Sequence, residues 1–294
     1  MLGVGFSIPQ LAVRRRAPGP QAVVATGGTV FDITDPGDGL SYRVHRFIDS
    51  GTLTVSGDLD VEVLLVGGGG GGGHGFYGGG GGAGRLLDWS GTLASGDFPV
   101  IVGSGGAGAS TKLNTAGHGS DSTFNGQTAL GGGGGASRDS GAGADGGSGG
   151  GAAFDNRSGG TSDATHGGFG NKGGDTLPLS EGLFGAGGGG AGEAGQDPSN
   201  FGGAGGDGAP RQITGAPIYY AGGGGGGGRA SDEFGGGTDG GAGGAGGGGA
   251  GGAYTSGPDP TPGAVNTGGG GGGAGKEIPG VNGGSGIVIV RYRI

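Results

Sequence analysis

Residues 61–73, Val-Glu-Val-Leu-Leu-Val-Gly-Gly-Gly-Gly-Gly-Gly-Gly, join an apolar run directly to seven consecutive glycines. A glycine run is a poor helix, because each glycine costs about 1 kcal/mol relative to alanine in a helix interior. It is also a poor strand, because glycine offers a sheet no side chain to pack. Two structures remain for such a run: a disordered linker, or a bundle of polyproline-II-like helices that hydrogen-bond to one another.

The glycine-rich belt extends from Gly67 to Gly275 and is interrupted by short inserts rich in polar and aromatic residues. It ends shortly before a second apolar run, Ile287 to Val290. The apolar residues are concentrated on either side of the belt, mainly before residue 130 and after residue 285, and are not diluted along the chain. This clustering favours an ordered bundle, and a disordered belt is the alternative.

Composition excludes several classes of protein. Glycine makes up 98 of 294 residues, which is the fraction found in collagen, but the strict three-residue repeat is missing and there are only 13 prolines. The chain has no cysteine, so disulfides and thiolate metal sites are excluded. A net charge of −9 argues against nucleic acid as a partner. Because no apolar run approaches the ~18 residues of a membrane span, we expect no membrane insertion.

Short β-like segments flank the belt. Loose alternation of apolar and polar residues runs through 23–66 and recurs in 85–130, and Asn125-Gly126 is a strong signal for a two-residue hairpin. With 286–294, about eight or nine strands result. The sequence therefore predicts an all-β fold, a small antiparallel sandwich or jelly roll with an inserted bundle of polyglycine II helices. The predicted units are an N-terminal attachment arm (1–22), a β-sandwich (23–66, 85–130 and 286–294) and the glycine-rich bundle with its loops (67–84 and 131–285).

The pattern from LLVGGGGGGG at Leu64 to GGSGIVIVRY at Tyr292 resembles the glycine-rich domain proteins of tailed bacteriophages. The resemblance covers roughly residues 52–294 and is most specific at Val63–Gly73 and Gly283–Tyr292. It implies a virion protein of the phage tail, at the tail tip or in a tail fibre. It also implies a host cell surface receptor, either a glycan or an outer-membrane protein, as a partner. Similar belts form polyglycine II bundles in the tail-tip adhesins of some T-even-type phages.

The N-terminal arm lies outside this resemblance, and we interpret it from its residues alone. Its apolar side chains and three consecutive arginines could dock on other phage tail proteins, whereas a frayed terminus is the simpler alternative. The candidate attachment residues are Leu2, Phe6, Ile8, Leu11, Arg14, Arg15 and Arg16.

No enzyme chemistry stands out from the sequence. Glycine motifs occur by chance in such a chain, so a nucleotide site is not indicated. The four histidines are scattered without metal-ligand spacing. Carboxylate pairs such as Asp58 with Asp60 are typical of solvated turns. We therefore expect no catalytic residues, no metal and no cofactor.

The direction of the glycine runs predicts which loops face the host. The run Gly67–Gly73 leaves the sandwich, and Gly78–Gly84 returns to strand-like residues. Strict alternation then makes Gly268–Gly275 a returning run. The outward runs would end at residues 74–77, 137–140, 175–184, 210–221 and 254–267.

These ends contain large side chains of the kind enriched at binding hot spots. We therefore predict a receptor-binding tip, with caps that merely shield the last hydrogen bonds as the alternative. The predicted set is Phe76, Tyr77, Phe184, Ile218, Tyr219, Tyr220 and Tyr254.

The function predicted from the sequence is that of a virion structural protein that binds a host surface. One alternative is a purely structural tail component without receptor contact. Another is an ice-binding polyglycine protein, which the long inserts with aromatic and charged residues disfavour. Assembly remains open, because tail fibres are commonly homotrimers whereas a polyglycine bundle can be built within one chain.

Overall fold

A computed structural model of the chain describes residues 23–163, 167–176, 178, 184–228, 239–254 and 257–294. Regular structure in these residues consists of strands and contains no helix. The strands are β1 (Ala25–Thr26), β2 (Thr29–Thr34), β3 (Ser41–Phe47), β4 (Gly51–Val55), β5 (Leu59–Val66), β6 (Leu86–Leu93), β7 (Gly96–Ile101), β8 (Ser122–Phe124), β9 (Gln127–Ala129), β10 (Ala209–Arg211), β11 (Ile218–Tyr220) and β12 (Ile287–Arg293).

Two five-stranded antiparallel sheets form a sandwich. Sheet A has the order β1-β4-β7-β8-β9, and sheet B has the order β2-β3-β12-β5-β6. Leu53, Val100 and Phe124 of sheet A pack against Val63 and Val288 of sheet B in one apolar cluster. The prediction of an all-β fold with antiparallel sheets is therefore confirmed.

The two faces of β5 explain its mixed sequence pattern. Val61 and Val63 point into the cluster between the sheets, while Asp60 and Glu62 are exposed. The strand then becomes buried on both faces, because Leu64 and its neighbours on the outer face of sheet B form a second apolar cluster. Residues from outside the sandwich cover that second cluster.

The glycine bundle begins where β5 of the sandwich ends, at Val66. Every amide of the run Gly67–Gly73 donates a hydrogen bond of 2.8–3.0 Å to a neighbouring run, and the same neighbour is reached again at every third residue. The donor–acceptor pairs are Gly67–Arg85, Gly70–Gly82 and Gly73–Gly79 for the first neighbour, Gly68–Ser120 and Gly71–Gly117 for the second, and Gly69–Gly284 and Gly72–Val281 for the third. Three residues per turn is the repeat of polyproline II. The polyglycine II conformation itself stays a prediction, which this repeat supports.

Close approach of backbones explains why the central run is all glycine. A Cβ atom added at any position of Gly67–Gly73 would lie 1.8–2.2 Å from a carbonyl oxygen of another run. Real carbon and oxygen atoms cannot approach so closely, so even alanine is excluded from these seven positions.

Three features of the bundle differ from the prediction. Residues 103–120, which we assigned to the sandwich, form an out-and-back pair in the bundle, since Gly106 and Ala109 donate to Gly69 and Gly72. Gly268–Gly275 runs outward, because Gly268 lies against Gly67 whereas Ala274 donates to Gly73. The returning run is residues 280–286, which leads into β12.

The third difference is a run that glycine content did not reveal. Residues 193–198 contain one glycine, yet Gly190 donates to Glu193 and Gly187 donates to Gln196, so this segment is a run of the bundle. A peripheral run tolerates side chains because they can point to solvent. Overlooking this run reverses the direction assigned to the next one, so residues 210–221 were placed at the wrong end.

Candidate functional site

Four aromatic rings follow one another at the end of the bundle that is remote from the sandwich. We call this end the far end and the rings, in the order Tyr254, Phe76, Tyr77 and Phe154, the aromatic row. Successive ring centroids are 5.5, 6.1 and 5.9 Å apart. All four residues are partly buried. They come from three turns that connect outward to returning runs, so the bundle brings together residues up to 178 positions apart in sequence (254 minus 76).

Two members of the row have an unusual backbone. Tyr77 has a φ of 67° and Phe154 a φ of 60°, in the left-handed region that bulky residues rarely adopt. Such a conformation costs on the order of 1–3 kcal/mol and persists only where the surroundings impose it. The turns therefore hold these rings in fixed positions.

Charged side chains lie beside the Phe154 end of the row. The guanidinium carbon of Arg138 lies 5.5 Å from the centroid of the Phe154 ring, in a cation–π contact. Asp139 forms ion pairs with Lys112 at 3.8 Å and with Arg138 at 3.7 Å. These three residues, Lys112, Arg138 and Asp139, which we call the rim, place both signs of charge beside an aromatic surface.

Hydrogen bonds connect the turns at this end of the bundle. The His74 amide donates to the Ser137 Oγ at 2.9 Å, and that Oγ donates to the Asn114 carbonyl at 2.6 Å. His74 is 9% exposed, and within the described residues its Nδ1 has no hydrogen-bond partner. The Nε of Arg138 has no hydrogen bond there either, but it is the atom that lies 3.7 Å from Asp139 in the ion pair.

The model of the glycine-rich domain family matches residues 48–293, which include the bundle and most of the sandwich. The chain belongs to the glycine-rich domain family. No curated protein matches the chain.

In this glycine-rich domain, three of the predicted site residues meet at the far end. Phe76, Tyr77 and Tyr254 form contiguous members of the aromatic row. Phe184 lies at the same end, next to Gly185, which donates to Gly227, but its side chain is only 6% exposed and so offers little surface to a ligand.

The prediction that Ile218, Tyr219 and Tyr220 belong to the same tip is wrong. They lie in the hairpin β10–β11, which packs on the outer face of sheet B. Tyr220 is 4% exposed within the second apolar cluster. The hairpin is held there by Arg211, whose Nε lies 2.7 Å from an Asp88 oxygen. This placement was wrong because the prediction overlooked the run at 193–198, which reverses the direction of the chain before the hairpin.

Sequence reasoning missed two members of the far-end site. Phe154 begins an insert, Phe154-Asp155-Asn156, immediately after the run that ends in Ala152-Ala153. That signal is the same one that singled out Phe76 and Tyr77. Arg138 lies in the turn 137–140 that was predicted to be outward, but only aromatic and aliphatic residues were selected there.

The attachment residues of the arm, Leu2, Phe6, Ile8, Leu11 and Arg14–Arg16, lie outside the described residues. Their role stays a prediction.

A cleft of about 430 Å³ lies between the hairpin and sheet B. Its charged groups are already paired: Arg291 lies 2.7 Å from both Asp35 and Glu62 on the sheet B side, and Gln212 of the hairpin donates to Asp35 at 3.3 Å. The Gly37 amide and then the Arg291 guanidinium hold the pKa of Asp35 below its usual value. We interpret this cleft as a structural seam.

In the described part of the chain, no three His, Asp or Glu side chains are grouped so that they could hold a metal ion. The same residues include no helix with the length and apolar character needed to cross a membrane.

Proposed function

We propose that this glycine-rich domain protein is a virion structural protein of a phage tail tip or tail fibre, and that it binds the host cell surface through its far end. The single observation that carries the proposal is the aromatic row. Aromatic residues dominate binding hot spots because they bury much area with few rotatable bonds. Here they are gathered from three separate turns at one end of the bundle.

The construction of the bundle supports this role. Its interior is held by hydrogen bonds between backbones, so the turns at the far end contribute little to the interior. Sequence changes in those turns leave the scaffold intact, and recognition residues commonly lie on such loops. A tail protein that must follow a changing receptor benefits from this separation.

Attachment to the particle would use the end opposite the far end. The sandwich lies at the opposite end, where the chain enters the described structure at Val23. In the proposal, the arm at 1–22 joins the protein to other tail proteins, and the far end is directed away from the particle.

Binding of the fluorescently labelled full chain to host cells tests the receptor role. The double variant Phe76→Ala with Tyr254→Ala removes half of the aromatic row and leaves every backbone hydrogen bond of the bundle in place. We expect its binding to fall by about tenfold or more.

The matched control is Tyr219→Ala, which removes a 48% exposed aromatic side chain from the hairpin on the sandwich. Its binding should equal that of the wild type. Wild-type binding by the double variant would instead support the purely structural tail component.

A further inference from the structure

We infer that the aromatic row binds a saccharide, with sugar rings stacked on the exposed parts of its aromatic rings. This inference rests on the proposed function and specifies the class of receptor at the same site. It follows from the spacing and burial of the rings and from the polar groups beside them.

The ring spacing excludes a ligand inserted between the rings. Centroid distances of 5.5–6.1 Å place neighbouring rings in direct contact. An aromatic cage for a quaternary ammonium group needs open ring faces with a cation between them. The cation that meets this row is the protein's own Arg138, which already occupies the Phe154 ring.

The burial of the rings disfavours a protein receptor. An aromatic anchor in a protein interface projects into a pocket of the partner and becomes fully desolvated there. Each ring of the row is instead partly buried and held by another ring, so none is free to project. The row offers a fixed surface along which a ligand with apolar C–H faces can lie.

The surroundings of the row supply what the hydroxyl groups of a sugar require. Asp139 can accept hydrogen bonds, while Lys112 and Arg138 can donate them, and all three are at least 36% exposed at their side chains. Hydrogen bonds that fix ligand orientation typically come from a few such groups beside an apolar surface.

The test uses the labelled full chain and host cells treated in two ways. Sodium periodate cleaves vicinal diols of surface glycans, whereas proteinase K removes exposed protein. We expect periodate to lower binding by about tenfold or more and proteinase K to change it less than about twofold. Protein-free polysaccharide from the host envelope should compete with cells for the wild type.

A single variant refines the assignment. Arg138→Gln keeps a donor but removes the cation, and it should weaken binding to that polysaccharide by about three- to tenfold. Tyr219→Ala is again the control and should bind polysaccharide normally.

The outcomes separate this inference from the proposed function. Loss of binding after proteinase K alone, or failure of the protein-free polysaccharide to compete, overturns the saccharide assignment while a receptor role remains. Normal binding of the Phe76→Ala, Tyr254→Ala variant to untreated cells overturns both.

Discussion

The sandwich and the glycine bundle fill their interiors in different ways. In the sandwich, side chains such as Leu65 and Val288 exclude water, and the backbone pairs within each sheet. In the bundle, the backbone itself fills the interior, and side chains are absent from the central run. The difference teaches that a side chain is required in one region and forbidden in the other. An altered side chain in the sandwich core and an added side chain in the bundle should therefore both lower the stability, each for its own reason.

The largest effect is expected in the sandwich. Val288 is fully buried on the central strand β12, between β3 and β5. Val288→Asp places an unpaired charge in the apolar cluster and should lower the free energy of unfolding by about 4–5 kcal/mol or more. Urea unfolding followed by circular dichroism measures this. A variant that unfolds at the wild-type midpoint would show that β12 is not in the core.

A smaller but still severe effect is expected from one added methyl group in the bundle. Gly70→Ala places a Cβ 2.1 Å from the Gly133 carbonyl oxygen, so two runs must move apart and hydrogen bonds must break. We expect a loss of about 3 kcal/mol in the free energy of unfolding. The control is Gly51→Ala in β4, where the nearest atom lies at 3.6 Å and the change should be within about 0.5 kcal/mol. Equal stability of both variants would contradict the bundle packing.

Hydrogen exchange compares the two regions without a mutation. Amides of Gly70 and Gly81 donate to other runs at 2.8 Å, so they should exchange as slowly as amides of β5. Exchange measured by mass spectrometry on the intact chain resolves the segments. Rapid exchange throughout residues 131–163 and 184–228 would instead indicate the disordered belt.

The smallest effect concerns the seam between the hairpin and sheet B. Because the pKa of Asp35 is lowered in the folded protein, its ionised form contributes stability above its usual pKa, and this contribution is lost as pH falls through the folded value. Asp35→Asn should therefore be less stable than the wild type at pH 7, and the difference should shrink in acid. Thermal unfolding at pH 7 and near pH 3 measures it. A difference that grows in acid would contradict the assigned sign.

The sequence predicted the sandwich better than it predicted the bundle. Alternating apolar residues identify strands because each strand has a buried and an exposed face, and Asn125-Gly126 does form the turn between β8 and β9, with φ values of 45° and 75°. Glycine runs identified the bundle interior for an equally local reason, since a Cβ there is excluded. Peripheral runs carry no such signal, which is why residues 193–198 were overlooked.

The candidate site was predicted in part for the same reason. Phe76, Tyr77 and Tyr254 were grouped correctly because they follow runs rich in glycine. The hairpin was misplaced because its position depends on contacts across long stretches of chain. The Arg211–Asp88 ion pair, for example, joins residues 123 positions apart, and the sequence around neither residue contains a pattern that predicts this pair.

The three-residue repeat of the hydrogen bonds also limits how the chain can change its length. Adding one residue inside the run Gly67–Gly73 would rotate every later residue of that run by about 120° and advance it by about 3.1 Å, so each amide would face the wrong neighbour. A gain or loss of three residues keeps each amide directed at its own neighbour. We therefore expect the runs of the bundle to differ in length between related proteins by multiples of three residues. The turns at the far end can differ in length by any number of residues.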